Sequence, residues 1–303
     1  MLDILTRAGC FVAIIILGYV LRRTGFFKEG DFHVLSKIVL KITLPAAIVS
    51  SFAGKEIDPS MLYISLIGLG GGVLYIVLAY VLNCRAGREK QAFAIMNSAG
   101  YNIGNFTLPF VQGFLGTMGV VTTSLFDTGN AVVCLGGAYS AASAVKGQSS
   151  GITVKSIVRS LLKSVPFDCY IIMTVMSLIH IPIPSVVTSF AGIIGNANAF
   201  MAMLMIGVGF KLSGGREQMG TILRILAVRY GVAVLLALGC FFLLPLPLEM
   251  RQTLTILVFS PIASAAPAFT ADLGEDVGLA SAVNSISILC SIVCIVVLLS
   301  VML

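Results

Sequence analysis

The sequence predicts an all-α integral membrane protein of ten transmembrane helices, arranged as two inverted five-helix repeats. Three observations predict it. Apolar stretches of roughly 18 or more residues recur from end to end, each long enough to cross about 30 Å of hydrocarbon. Charged residues make up only 11% of the 303, against about 25% in a soluble domain, and mean hydropathy is +1.04. The second half of the chain also repeats landmarks of the first.

The expected spans are Leu5–Leu21, Phe32–Ala53, Pro59–Asn83, Gln91–Leu115 and Thr117–Val145, then Val165–Ile179, Ser185–Phe210, Gly220–Leu244, Arg251–Leu273 and Val277–Met302. The first is expected to be a span and not a cleavable leader. It carries Asp3 and one cation, Arg7, and runs into Arg22-Arg23 without a small-residue cleavage site. A polar stretch from Lys146 to Lys155 and a short amphipathic segment to Lys163 separate the halves. The expected division is therefore 1–145 for the first repeat, 146–164 for a cytoplasmic linker and 165–303 for the second repeat.

Orientation follows from the cations. Arg22, Arg23, Lys28, Lys37, Lys41, Arg85, Arg88, Lys90, Lys146, Lys155, Arg159, Lys163, Lys211, Arg216, Arg224 and Arg229 fall on one side. Only Arg7, Lys55 and Arg251 fall on the other. That bias places the linker in the cytoplasm and both termini outside. The net charge of +6 is thus a matter of topology, and no basic patch interleaved with aromatics points to nucleic acid.

Each half opens and closes its broken span alike. Lys90-Gln91 parallels Arg251-Gln252, and Pro109 followed by Gly116 parallels Pro267 followed by Gly274. With five spans per half, the halves must run oppositely through the membrane, which is the pattern of secondary transporters.

Pro inside a membrane helix removes a backbone donor, and the freed carbonyl needs a partner or a wet cavity. Matching breaks in two halves therefore point to a binding site. In span four, Gly100, Gly104 and Pro109 interrupt a stretch holding Tyr101, Asn102, Asn105 and Thr107; span nine holds Ser260, Pro261, Ser264, Pro267 and Thr270. The candidate substrate-binding residues are Asn102, Asn105, Tyr101, Pro109, Ser260, Ser264 and Pro267. Half-helix N-termini there favour an anion, and freed carbonyls favour a cation. Asp127 lies near the middle of span five, with Thr123 and Asn130 one turn to either side on the same face. A carboxylate at bilayer depth is expensive, so these three are the candidate coupling or gating residues. His33, Lys37 and Lys41 form a stripe whose lysines are expected to snorkel. Asp168 is expected at the interface, and Asp272, Glu275 and Asp276 in a solvated loop.

No Walker A loop, HExxH or GxSxG is present. The seven Cys show neither zinc nor disulfide spacing. No enzyme, cofactor or resident metal is expected, and the coupling ion is left open between H⁺ and Na⁺.

Three stretches together resemble the auxin efflux carrier family, in particular its short bacterial members. They are Leu17-Gly-Tyr-Val-Leu-Arg-Arg-Thr-Gly-Phe-Phe with Leu35-Ser-Lys-Ile-Val and Ile42-Thr-Leu-Pro-Ala; Asn102-Ile-Gly-Asn-Phe-Thr-Leu-Pro109; and Ala266-Pro267 through Asp272-Leu-Gly274 with Val283-Asn-Ser-Ile-Ser287. The resemblance implies a fold like that of bile-acid/sodium symporters. Spans one, two, six and seven would form a scaffold that homodimerises. The other spans would form a mobile core in which spans four and nine cross at their Pro residues. By motif, Asn102, Pro109 and Pro267 carry over as crossover residues; Thr107 departs from the usual Gly. The function implied is secondary transport of a small organic anion such as malate or malonate across a bacterial inner membrane, by an elevator motion. A ligand sensor on a transporter fold, or a passive channel, are the alternatives.

Overall fold

The computed structural model describes residues 2–28, 30–148, 153–210 and 218–303. Lys211, Arg216 and linker residues 149–152 lie outside them. Among the described residues all regular structure is helical. Helix α1 is Leu2–Arg23. Helix α2 (Asp31–Ile38) passes through a π turn, Val39–Thr43, into α3 (Leu44–Phe52). A 3-10 turn at Pro59–Leu62 leads into α4 (Tyr63–Leu82). Helix α5 (Arg88–Met96) ends in irregular backbone and resumes as a π turn, Ile103–Thr107, and α6 (Leu108–Phe114). Helix α7 (Gly116–Val132) continues through a third π turn, Val133–Gly137, into α8 (Ala138–Lys146). Then come α9 (Val154–Leu161), α10 (Val165–Leu178), α11 (Ser185–Asn196), α12 (Asn198–Gly209), α13 (Met219–Phe242), α14 (Leu248–Leu257), α15 (Ala266–Asp272) and α16 (Val277–Met302).

Seven helical segments among the described residues are long and apolar enough to cross a membrane. Helices α9 and α10, bent by 79° at their junction, supply an eighth if taken as one span. The remaining two regions are the interrupted pairs α5–α6 and α14–α15.

Local chemistry accounts for the interruptions. Thr43-Leu44-Pro45 and Thr107-Leu108-Pro109 each follow a π turn. Proline lacks the N–H and crowds the carbonyl one turn back, so the ladder widens before it. Gly100 has φ +76°, and a Cβ there would lie 2.6 Å from the Cys134 sulfur; both the left-handed backbone and the space demand glycine. Pro109 and Pro267 each sit in the first turn of a resumed helix, where proline is well tolerated. The two segments touch ahead of these helices, at Asn102 and Pro261.

Glycine also sets the helix pairs. Gly18 faces the Leu204 carbonyl while Gly207 faces that of Ile15, which closes α1 on α12. Gly68 faces the Phe126 carbonyl while Gly129 faces that of Ser65, which closes α4 on α7. Apolar surface gives helices no driving force to associate in lipid, so backbone approach of this kind supplies the packing. Gly129→Val forces a side chain into the Ser65 carbonyl and must push α4 and α7 apart. It is expected to cost about 1–3 kcal/mol or more, read as a lowered thermal midpoint and reduced yield of folded protein.

Most helices fall into two groups, which meet where α3 and α10 pack on α7 and where α6 packs on both α7 and α12. Helices α1, α3, α10, α11 and α12 pack against one another, as α1 on α12, α11 on α3 and α10 on α3. Helices α4, α5, α7, α8, α13, α14, α15 and α16 form the other group, with α4 on α7, α5 on α8, α13 on α14 and α15 on α16.

Candidate functional site

The two interrupted segments meet backbone to backbone. The N–H of Asn102 donates to the Pro261 carbonyl at 2.9 Å. Side chains tie the crossing on either side. Thr107 Oγ1 donates to Ser260 Oγ at 2.6 Å, Asn105 Nδ2 to Ser264 Oγ at 3.1 Å and Asn97 Nδ2 to Thr270 Oγ1 at 3.0 Å. Helix α16 supports the second break: Asn284 Nδ2 donates to the carbonyls of Ile262 and Ala263, and Ser287 Oγ accepts the Ile262 N–H. Backbone that has lost its helical partners is thus satisfied by side chains, as membrane depth requires.

Two cavities flank the crossing. One, about 200 Å³, is lined by Tyr101, Gly104, Asp127, Asn130 and Cys134 of one helix group and by Leu44 and Pro166 of the other. The second, about 340 Å³, is lined by Arg22, His33, Met205, Pro267 and Asn284. Asn102, Asn105 and Ser264 line both. Asn105 Oδ1 is buried without a partner. The Asn105–Ser264 pair can reverse, because amide and hydroxyl each donate and accept.

Asp127 opens onto the smaller cavity. Its Oδ1 accepts from Asn130 Nδ2 at 2.8 Å and its Oδ2 from the Tyr170 hydroxyl at 3.0 Å. Asn130 also brackets the backbone of Tyr101, accepting its N–H at 2.9 Å and donating to its carbonyl at 2.8 Å. Tyr170 stands on α10, so its bond to Asp127 joins the two helix groups. Among the described residues the only salt bridge joins Lys146 to Glu275; Asp127 is held by neutral donors.

Arg229 is the residue the sequence reading misplaced. It was counted as a cation just inside its span at the cytoplasmic edge. It lies near the middle of α13, 1% exposed, about 15 Å along the axis from the helix start. Its guanidinium donates to the carbonyls of Ser98 and Gly100 on the first break and of Ser260 and Pro261 on the second. The rings of Tyr75 and Tyr101 flank it at 5.0 and 5.1 Å.

The structure therefore gathers Tyr101, Asn102, Asn105, Ser260, Ser264, Asp127 and Asn130 around one crossing. Pro109 is buried in the first turn of α6, and Pro267 lines only the larger cavity. Thr123 shares a helix face with Asp127, but its hydroxyl donates to the Gly119 carbonyl of its own helix. Tyr170 and Asn284 are not among the candidate site residues of the sequence, and Arg229 carries there only a topology signal. A Tyr in an apolar span reads as an interfacial residue, and Arg229 makes its contacts through backbone, which carries no residue signature. His33 lines the larger cavity, while Lys37 and Lys41 are exposed. Among the described residues no three His, Cys, Asp or Glu are grouped as metal ligands.

Comparison with known proteins bears on what such a site serves. The sequence pattern of a family described as "membrane transport protein" matches residues 10–299. An "uncharacterized transporter" of Methanothermobacter thermautotrophicus is 22% identical over 287 residues, which cover 93% of each chain. These matches point to a transporter rather than an enzyme.

Proposed function

The chain belongs to the auxin efflux carrier family of membrane transport proteins, and from that premise we propose that it is a secondary carrier for a small organic anion. The observation that carries this reading is the crossing itself. Asn102, Asn105 and Ser264 line two cavities at one pair of interrupted segments. A carboxylate held by the amide groups there is within reach of both cavities. Tyr101, Ser260, Pro109 and Pro267 shape the segments that present those groups.

In this reading α5–α6 and α14–α15 complete ten spans, in inverted repeats over 1–145 and 165–303 joined by the 146–164 linker. The group containing α1, α3 and α10 to α12 is the scaffold, through which two copies pair. The other group is the core that moves past it as an elevator. Asp127 sits on the core and Tyr170 on the scaffold, so their bond must break in that motion. Its charge state gates the movement, with Asn130 positioning it and Thr123 behind it on the same face. The membrane is a bacterial inner membrane with both termini outside.

Uptake of radiolabelled malate, malonate and related acids into proteoliposomes, under imposed pH or Na⁺ gradients, tests the reading. Wild type should show saturable uptake. Asn105→Ala removes a hydrogen bond to a charged group, worth about 1.5–3 kcal/mol, so KM should rise roughly tenfold to a hundredfold. Asn102→Ala should weaken uptake similarly. Conductance without saturation would replace the carrier with a channel. Binding without uptake under any gradient would replace it with a sensor.

A further inference from the structure

Two interrupted segments release carbonyls into the membrane interior, and such carbonyls ordinarily gather a coupling cation. Here four of them, on Ser98, Gly100, Ser260 and Pro261, already have a cation. We propose that Arg229 is a tethered counter-ion that takes the place of a coupling Na⁺ at the crossing, so that transport through this site is independent of Na⁺. The inference rests on the carrier reading above and specifies its energetics.

The geometry supports it from three directions. The four carbonyls follow the C-terminal ends of α5 and α14, where two helix dipoles present their negative poles. Arg229 reaches carbonyls of both breaks at once, which a cation held by one segment alone cannot do. No carboxylate lies within salt-bridge distance of it among the described residues. A buried guanidinium without a carboxylate is costly unless its charge answers another. Here the carbonyl dipoles and the faces of Tyr75 and Tyr101 supply that answer. Arg suits the post because it stays charged and offers five donors in a fixed plane. A diffusible Na⁺ would have to displace it, and Arg229 cannot leave.

Two measurements on the purified full-length protein test this. The first is wild-type uptake, and thermal stability in detergent, with Na⁺ replaced by choline. Both should be unchanged; Na⁺-dependent uptake or a Na⁺-dependent rise in stability overturns the proposal. The second is Arg229→Gly, which should melt well below wild type. Low concentrations of guanidinium should raise its midpoint, whereas urea, the neutral molecule of the same shape, should not. Equal rescue by urea would mean that hydrogen bonding and not charge is needed, and would overturn the proposal. If the Gly variant does not fold, the wild-type Na⁺ measurement decides. The stability readouts need no substrate, so they stand even if no anion is transported and the carrier reading fails.

Discussion

Asp127→Asn is expected to remain folded and to lose gradient-driven uptake. The two donors aimed at Asp127, the Asn130 amide and the Tyr170 hydroxyl, are both neutral. A carboxylate so placed can take up or release a cation while its hydrogen bonds persist. An amide has the same shape but only one acceptor oxygen. The Asn130 amide keeps the oxygen, and the Tyr170 hydroxyl, which accepts as well as donates, takes a hydrogen bond from the new amide, so the stability cost is at most about 1 kcal/mol. What the amide cannot do is change charge. Accumulation against a gradient should therefore fall to the level of empty liposomes. Counterflow, the exchange of labelled for unlabelled substrate at equal concentrations, should survive, because it needs no net coupling. Full accumulation by Asp127→Asn would remove Asp127 from the mechanism. Loss of counterflow as well would place it in substrate binding. Tyr170→Phe is the control for the contact alone, and its effect should be the smaller, since the charge remains.

Much of this was legible in the sequence because its causes are local. The last helix, Val277–Met302, has the ends that hydropathy alone assigns, since an apolar run long enough to span can do little else. The interruptions were legible for the same reason: a missing N–H at Pro261 or a left-handed Gly100 is decided within a turn. What joins the interruptions was not. Arg229 and its four carbonyl partners lie between 31 and 131 residues apart in sequence. A positive-inside count treats every Arg near a span end alike, so it registered a topology signal where there is a structural hub. Thr123 shows the limit of periodicity. It lies on the Asp127 face, and its hydroxyl bonds the carbonyl one turn back, a local preference that the face alone does not reveal.

A clear stability loss is expected for Asn130→Ala. Tyr101 lies in the first interruption, where neither its N–H nor its carbonyl has a helical partner. Asn130 supplies both, accepting one and donating to the other, and also donates to Asp127. Ala leaves the Tyr101 N–H without a partner, while the Tyr101 carbonyl keeps the Ile103 N–H and Asp127 keeps the Tyr170 hydroxyl. The orphaned donor costs about 1–3 kcal/mol, and the membrane interior offers no water in compensation. Cys134, 3.3 Å from the Asn130 oxygen, is a poor substitute, because sulfur is a weak donor and acceptor. The proper comparison is Thr123→Ala on the same helix, whose hydroxyl bonds only within α7. The chain has no Trp, but Cys240 is buried while Cys10 and Cys84 are exposed, so in a background with Cys10 and Cys84 replaced by Ser a thiol-reactive dye reports unfolding in detergent. Asn130→Ala should expose Cys240 several degrees below wild type, and Thr123→Ala close to wild type. Equal shifts would mean that the interruption is held by the packing of Tyr101 against Tyr75 and Phe126 and not by the amide clamp. In that case Asn130 would matter to Asp127 alone, and its substitution should depress uptake without touching the fold.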